Sequence, residues 1–116
     1  MRGDTQTKLA EYVRSQSEWR QAKADEYPGD HRNQRASNAL ALLADYLVAL
    51  PSTDRHIMAL AAIQEPYALD VFAPGEEGNR LISQYGFHET EDPDLFLERL
   101  VTAEVGDALE REIEDV

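Results

Sequence analysis

Three histidines and one dense run of carboxylates are the residues of this chain with chemistry beyond packing. His31, His56 and His88 lie no closer to one another than 25 residues. A structural zinc site needs three or four ligands, often paired one helical turn apart. Only tertiary folding could gather these three. The stretch His88-Glu89-Thr90-Glu91-Asp92-Pro93-Asp94 is richer, with five potential ligands in seven positions. A calcium loop, however, requires alternating oxygen ligands, a glycine at its sixth position and a glutamate at its twelfth. That order is missing. The run reads instead as a solvated acidic loop that caps a following helix, and no metal or cofactor is assigned to it.

Catalysis finds little else to stand on. Paired carboxylates act as acid and base only where a cleft separates their pKa values, and Glu76-Glu77 sits in a turn-like segment. No serine lies in a Gly-x-Ser-x-Gly elbow, and no glycine-rich run matches a phosphate cradle. The absence of cysteine removes disulfides, thiolate nucleophiles and iron–sulfur ligation together. No catalytic residue is assigned.

Charge is more informative. The 116 residues carry a net charge of −12. Residues 1–58 contain eight acids and eight bases and are neutral. Residues 59–116 contain fifteen acids against Arg80, Arg99 and Arg111, so the entire excess falls there. Such a half repels phosphate backbones and anionic lipid, because binding them needs Lys and Arg. Neither direct nucleic-acid contact nor a membrane is expected as a partner. A basic protein surface is what the charge admits.

No apolar run approaches the roughly 18–20 residues that span a bilayer. The polar start, Met1-Arg2-Gly3-Asp4-Thr5-Gln6-Thr7, has no secretory pattern, which points to the cytoplasm. Arg outnumbers Lys nine to two and Ala reaches fifteen, a composition that suggests a GC-rich, bacterial genome. Leu, Ile, Val and Phe total 26, enough for one thin core and a single helical domain over 1–116.

The elements that must carry these residues are helical. From about Thr5 to Glu26, the positions Leu9, Tyr12, Val13, Gln16, Trp19, Lys23 and Tyr27 share one face, with Trp19 as the expected anchor. Tyr27-Pro28-Gly29 stops that helix, and Asp30 caps the next, which runs to about Leu50. Leu40, Leu43, Leu47 and Leu50, widened by Leu42, Tyr46 and Ala49, make it the central helix of a bundle. Pro51 breaks it, Ser52 or Thr53 caps a third helix through about Gln64, and Tyr67 to Phe72 is an apolar connector.

A short fourth helix spans Glu76 to Tyr85. Gly86 takes the left-handed position after it, and Phe87 packs back on Ile82 in a Schellman motif. Asp92-Pro93-Asp94 opens the last helix, with Leu97, Val101, Val105, Leu109 and Ile113 as its stripe and Leu100, Ala108 and Phe96 alongside. The fold class is therefore all-α, a compact irregular bundle of four to five helices.

The function this suggests is a non-catalytic interaction or adaptor protein whose acidic C-terminal half meets a basic partner surface. Its candidate contacts are Glu89, Glu91, Asp92, Glu98, Glu104 and Glu110, with Glu112 alongside. Glu98 and Glu104 are expected to flank the buried stripe of the last helix and stay solvated. Two alternatives belong to other classes. One is an acidic nucleic-acid mimic that occupies a DNA- or RNA-binding protein, and the other is a small enzyme or metal binder using His88 and its acidic neighbours.

Overall fold

The punctuation in the sequence sets the elements. The computed structural model describes residues 2–64, 72–87 and 92–114, and their side chains from Thr5 to Leu109. Five helices follow in order: α1 Arg2–Glu26, α2 Arg32–Ala49, α3 Arg55–Gln64, α4 Glu76–Gln84 and α5 Pro93–Glu114. No strand occurs among the described residues, and the molecule is an all-α bundle. The connector that includes Tyr67 lies outside the described residues, apart from Phe72, which is buried.

Caps explain the helix starts. At α2 the N-cap is His31, which makes no side-chain cap bond, rather than Asp30; Asp30 Oδ1, one residue earlier, accepts the Arg32 N–H at 3.1 Å. At α3 the cap is Asp54 rather than Ser52 or Thr53. Its Oδ2 accepts from the N–H groups of His56 and Ile57 at 3.0 and 3.3 Å. At α5 the Asp92 Oδ1 accepts the Asp94 N–H at 3.0 Å, with Pro93 in the first helical position, where a missing N–H costs nothing.

Helix ends are tied by side chains from elsewhere. Leu50, held extended by the following Pro51, ends α2. Gln6 of α1 then donates to the Leu47 and Leu50 carbonyls, both at 2.7 Å, which have no partner within the helix. Arg20 of α1 does the same for α4, donating to the Ser83 carbonyl at 2.7 Å while also reaching Asn33 Oδ1 at 3.1 Å.

α1 and α2 lie antiparallel along a seam of small residues, with Ala10, Ser17, Ala24, Ala36, Ser37 and Ala44 all buried. Small side chains let the backbones approach closely, and the two serines bond across the gap. Ser17 Oγ donates to the Ser37 carbonyl at 2.7 Å, and Ser37 Oγ donates to the Ser17 carbonyl at 2.9 Å. Leu9, Val13, Leu40, Leu43 and Leu47 then join Ile57 and Leu60 of α3, Phe72, Ile82, Tyr85, and Phe96, Leu97 and Leu100 of α5 in one core. Tyr85 meets Phe96 edge-on with ring centroids 4.8 Å apart.

Four expectations need correction. Trp19 is not an anchor: it is 50% exposed, and Arg20 and Lys23 lie over its ring. α2 is not surrounded, since Leu42 is 70% exposed and Ala49 is also on the surface. The turn after α4 is not a Schellman motif. Tyr85 is extended (φ −62°, ψ 128°), Gly86 has φ 87°, and the Phe87 N–H bonds back to the Gln84 carbonyl at 3.1 Å. Those are the angles and the bond of a type II turn. The Phe87 ring lies against the Arg20 guanidinium, 4.3 Å from its centroid.

The last correction concerns α5. Residues four apart advance about 400°, so a strict four-residue repeat drifts about 40° per step around a helix with 3.6 residues per turn. Leu97 is buried and Val101 half-buried, but Val105 and Leu109 have rotated out to solvent. The face that stays inward is Phe96, Leu97, Leu100 and Glu104.

Two predictions follow from these turns and caps. A Cβ on Gly86 would sit 2.6 Å from Ala39 Cβ at a left-handed φ, whereas nothing lies within 4 Å of one on Gly29. Gly86→Ala should cost about 1–3 kcal/mol in urea unfolding, and Gly29→Ala should be close to neutral. The Asp30 carboxyl is lowered from 3.8 to about 2, first by its side-chain hydrogen bond from Arg32 and then by the Arg32 backbone N–H. A carboxylate with a depressed folded pKa stabilises above its unfolded value and loses that contribution as pH falls through the folded one. Stability of the parent should therefore drop more steeply between about pH 4 and pH 2 than that of Asp30→Asn, as followed by circular dichroism.

Candidate interaction surface on α4 and α5

The carboxylates expected at one surface separate in the structure. Asp92 and Glu98 are exposed, as an interaction role requires. Glu89, Glu91 and His88 lie outside the described residues, and Glu110 and Glu112 are on α5 beyond its described side chains. Glu104 departs from expectation outright. It is 0% exposed and cannot contact a partner.

Its burial follows from the phase of α5, which turns position 104 onto the same face as Leu97 and Leu100. The carboxylate is held there by donors from two other segments. Oε1 accepts the Gly75 N–H at 2.9 Å, and Oε2 accepts Gln64 Nε2 at 3.2 Å. Gly75 is the N-cap of α4, so the Glu104 carboxyl sits at the start of that helix, where backbone N–H groups lack partners within the helix. Space for it exists because the facing positions are glycines. A Cβ at Gly78 would fall 2.1 Å from Glu104 Oε1, and one at Gly75 would fall 2.0 Å from Asp107 Oδ2. Glu104 is therefore a fixing point for α3, α4 and α5.

That fixing sets α4 beside α5 with a groove of about 510 Å³ between them. Half-buried Leu81 and Ala103 line it with the more exposed Leu95 and Thr102, and Glu77, Glu98 and Arg99 stand at its edges. Glu77 pairs with Arg80 one turn along α4. A second depression of about 380 Å³ shares Glu77, Thr102 and Ala103 and adds Glu76, Gly106 and Asp107. The surface is thus apolar at its centre with carboxylates outnumbering guanidinium groups around it. Glu76 and Glu77, read from sequence as turn acids, form the first turn of α4.

The alternative built on His88 lies outside the described residues, and of the other histidines His56 has the more defined setting. His56 is buried, with Nδ1 3.4 Å from Asp94 Oδ1 and 3.6 Å from Asp54 Oδ2. It sits between the starting turns of α3 and α5, whose caps are Asp54 and Asp92. Tyr46 belongs to the same cluster. Burial, then Asp94, Asp54 and Asp92, push its hydroxyl above the ordinary value. The arrangement joins two helix starts, and no group of three potential metal ligands occurs among the described residues.

No protein-family model, no curated protein and no solved structure matches this chain. Its own geometry is the guide.

Sequence reasoning missed Leu81, Leu95, Thr102 and Ala103 as surface-forming residues. A signal was present, because Leu95, Thr102 and Leu109 recur every seven residues, which keeps them within about 40° of one line on a helix. The contrast between two glutamates six residues apart can be measured. Glu104→Ala should cost more than about 2 kcal/mol, since it strands the Gly75 N–H and the Gln64 amide in the interior and leaves a void. Glu98→Ala should change unfolding free energy by less than about 0.5 kcal/mol.

Proposed function

We propose that the protein is a non-catalytic interaction module of the cytoplasm whose acidic α4–α5 face engages a basic surface on a partner protein. The observation that carries this reading is the exposure of Glu76, Glu77 and Glu98 around an apolar groove, on the half of the chain that holds the whole net charge. Charge of one sign at the rim of a surface steers an oppositely charged partner and raises the rate of encounter. An apolar centre supplies what charge alone does not, because exposed ion pairs contribute only about 0–1 kcal/mol each.

No helix among the described residues is long and apolar enough to cross a membrane. The contact set expected from sequence is accordingly revised. Asp92 and Glu98 remain in it, Glu76 and Glu77 join it, and Glu104 leaves it.

The reading is tested by cross-linking in an extract of the source cells, followed by mass spectrometry. Partners with basic surfaces should be captured at low salt and lost towards about 0.5 M, where screening shortens electrostatic reach to a few ångström. The combined substitution Glu76→Lys, Glu77→Lys and Glu98→Lys should abolish their capture. Its melting temperature should stay within a few degrees of the parent, because exposed positions tolerate exchange. An unchanged set of captured proteins would sink the proposal.

A further inference from the structure

α5 outruns the helices packed against it. It has 22 residues, against nine in α4 and ten in α3. Leu95 is 45% exposed at its start and Leu109 55% exposed further along. With Thr102 between them, these residues form a line of roughly 21 Å, taking 1.5 Å per residue. The line runs beside the groove that holds Leu81 and Ala103. Anchors at seven-residue spacing next to a groove match a helix laid along it, whose own apolar face repeats with a similar period.

Charge decides between the occupants such a face admits. A second copy of the chain would bring the same surface to itself, since a two-fold contact is self-complementary. Glu76, Glu77 and Glu98, which outnumber Arg99 at these edges, would then face like charges across a closing apolar seam, where repulsion grows as water leaves. A helix with Lys or Arg flanking its apolar stripe meets the same rim with opposite charge.

We propose that the α4–α5 groove is the docking site for a basic amphipathic helix of a partner protein. Its apolar residues seat on Leu81, Leu95 and Ala103, and its cations meet Glu77 and Glu98. This rests on the acidic face being a partner surface, and adds that recognition is of a helix and requires the groove.

The test uses the full chain and two labelled peptides of about 18 residues, above the length at which helices become marginal in water. One is a lysine–leucine sequence with helical amphipathic period, and the other is a scramble of identical composition without it. Fluorescence anisotropy at low salt should show the periodic peptide binding at least roughly tenfold tighter, the difference one well-placed apolar anchor makes. Leu95→Asp gives the sharpest reading, because attraction by net charge alone would strengthen binding while loss of the groove weakens it about tenfold. Leu42→Asp, which adds the same charge on exposed α2, should show no loss of binding.

Equal binding of both peptides, or no weakening by Leu95→Asp, overturns the groove proposal and leaves the acidic-face reading standing. Failure of both peptides to bind overturns both readings. Concentration-dependent dimerisation in sedimentation that Leu95→Asp abolishes would assign the face to a second copy instead.

Discussion

A single buried carboxylate decides where the second half of this molecule sits. Glu104 carries a carboxyl group into the interior, a placement that is costly unless its oxygens are met by donors. Its two oxygens take the N–H that begins α4 and the amide at the last residue of α3. Room for it depends on Gly78 in the first turn of α4, where a side-chain carbon would overlap the carboxyl. The geometry of the α4–α5 groove is therefore a consequence of three residues acting together: Glu104, Gly75 and Gly78. Moving any one of them displaces the first turn of α4, and with it Glu76 and Glu77 on the surface.

The first half is held by a different device. Its core share is modest, with Leu9 and Val13 of α1 against Leu40, Leu43 and Leu47 of α2. Polar contacts make up for the thinness. The paired serine hydroxyls of α1 and α2 each bond the other helix's backbone, which requires a close crossing and fixes the register. Gln6 and Arg20 then satisfy carbonyls at two helix ends. Each such bond contributes about 1 kcal/mol net, but leaving the carbonyl buried and bare would cost more. Arg20 also lies over the Phe87 ring, so one side chain ties α1 to the turn that follows α4.

How much of this was legible depended on the kind of signal. Pro51, Pro93, Asp30, Asp92 and Gly86 act on their own backbone, through fixed torsions and local hydrogen bonds, so the helix boundaries could be read to within a few residues. Facing was less legible. Leu97, Val101, Val105 and Leu109 look like one stripe in a row of letters, yet the true period of 3.6 carries the later members out of the core. Trp19 was assigned inward by size, although α1 buries small residues where it crosses α2, and a large ring fits the outside better. Glu104 was beyond reach because its donors, Gln64 and Gly75, lie 40 and 29 residues away in sequence. Charged residues are almost never fully buried without partners, and the partners are visible only in three dimensions.

The segregation of charge gains its meaning from this division. In the neutral half, opposite charges find one another on the surface: Arg14 with Asp45, Lys23 with Glu26, Arg32 with Asp30. In residues 59–116 Glu77 pairs with Arg80, but complete pairing is arithmetically impossible, since fifteen acids share three arginines. If solubility alone were served, a modest excess spread over the whole surface would suffice, and mixed signs would suit it better. Placing Glu76, Glu77 and Glu98 beside an apolar groove has a cost, because like charges on one face repel and oppose compaction. On the reading proposed above, a fold that buries one glutamate to position that face, and keeps Glu76, Glu77 and Glu98 around the groove exposed, is organised around something that approaches from outside. An opposite charge arriving there relieves the repulsion as it binds, so the same crowding that weakens the free molecule favours the complex.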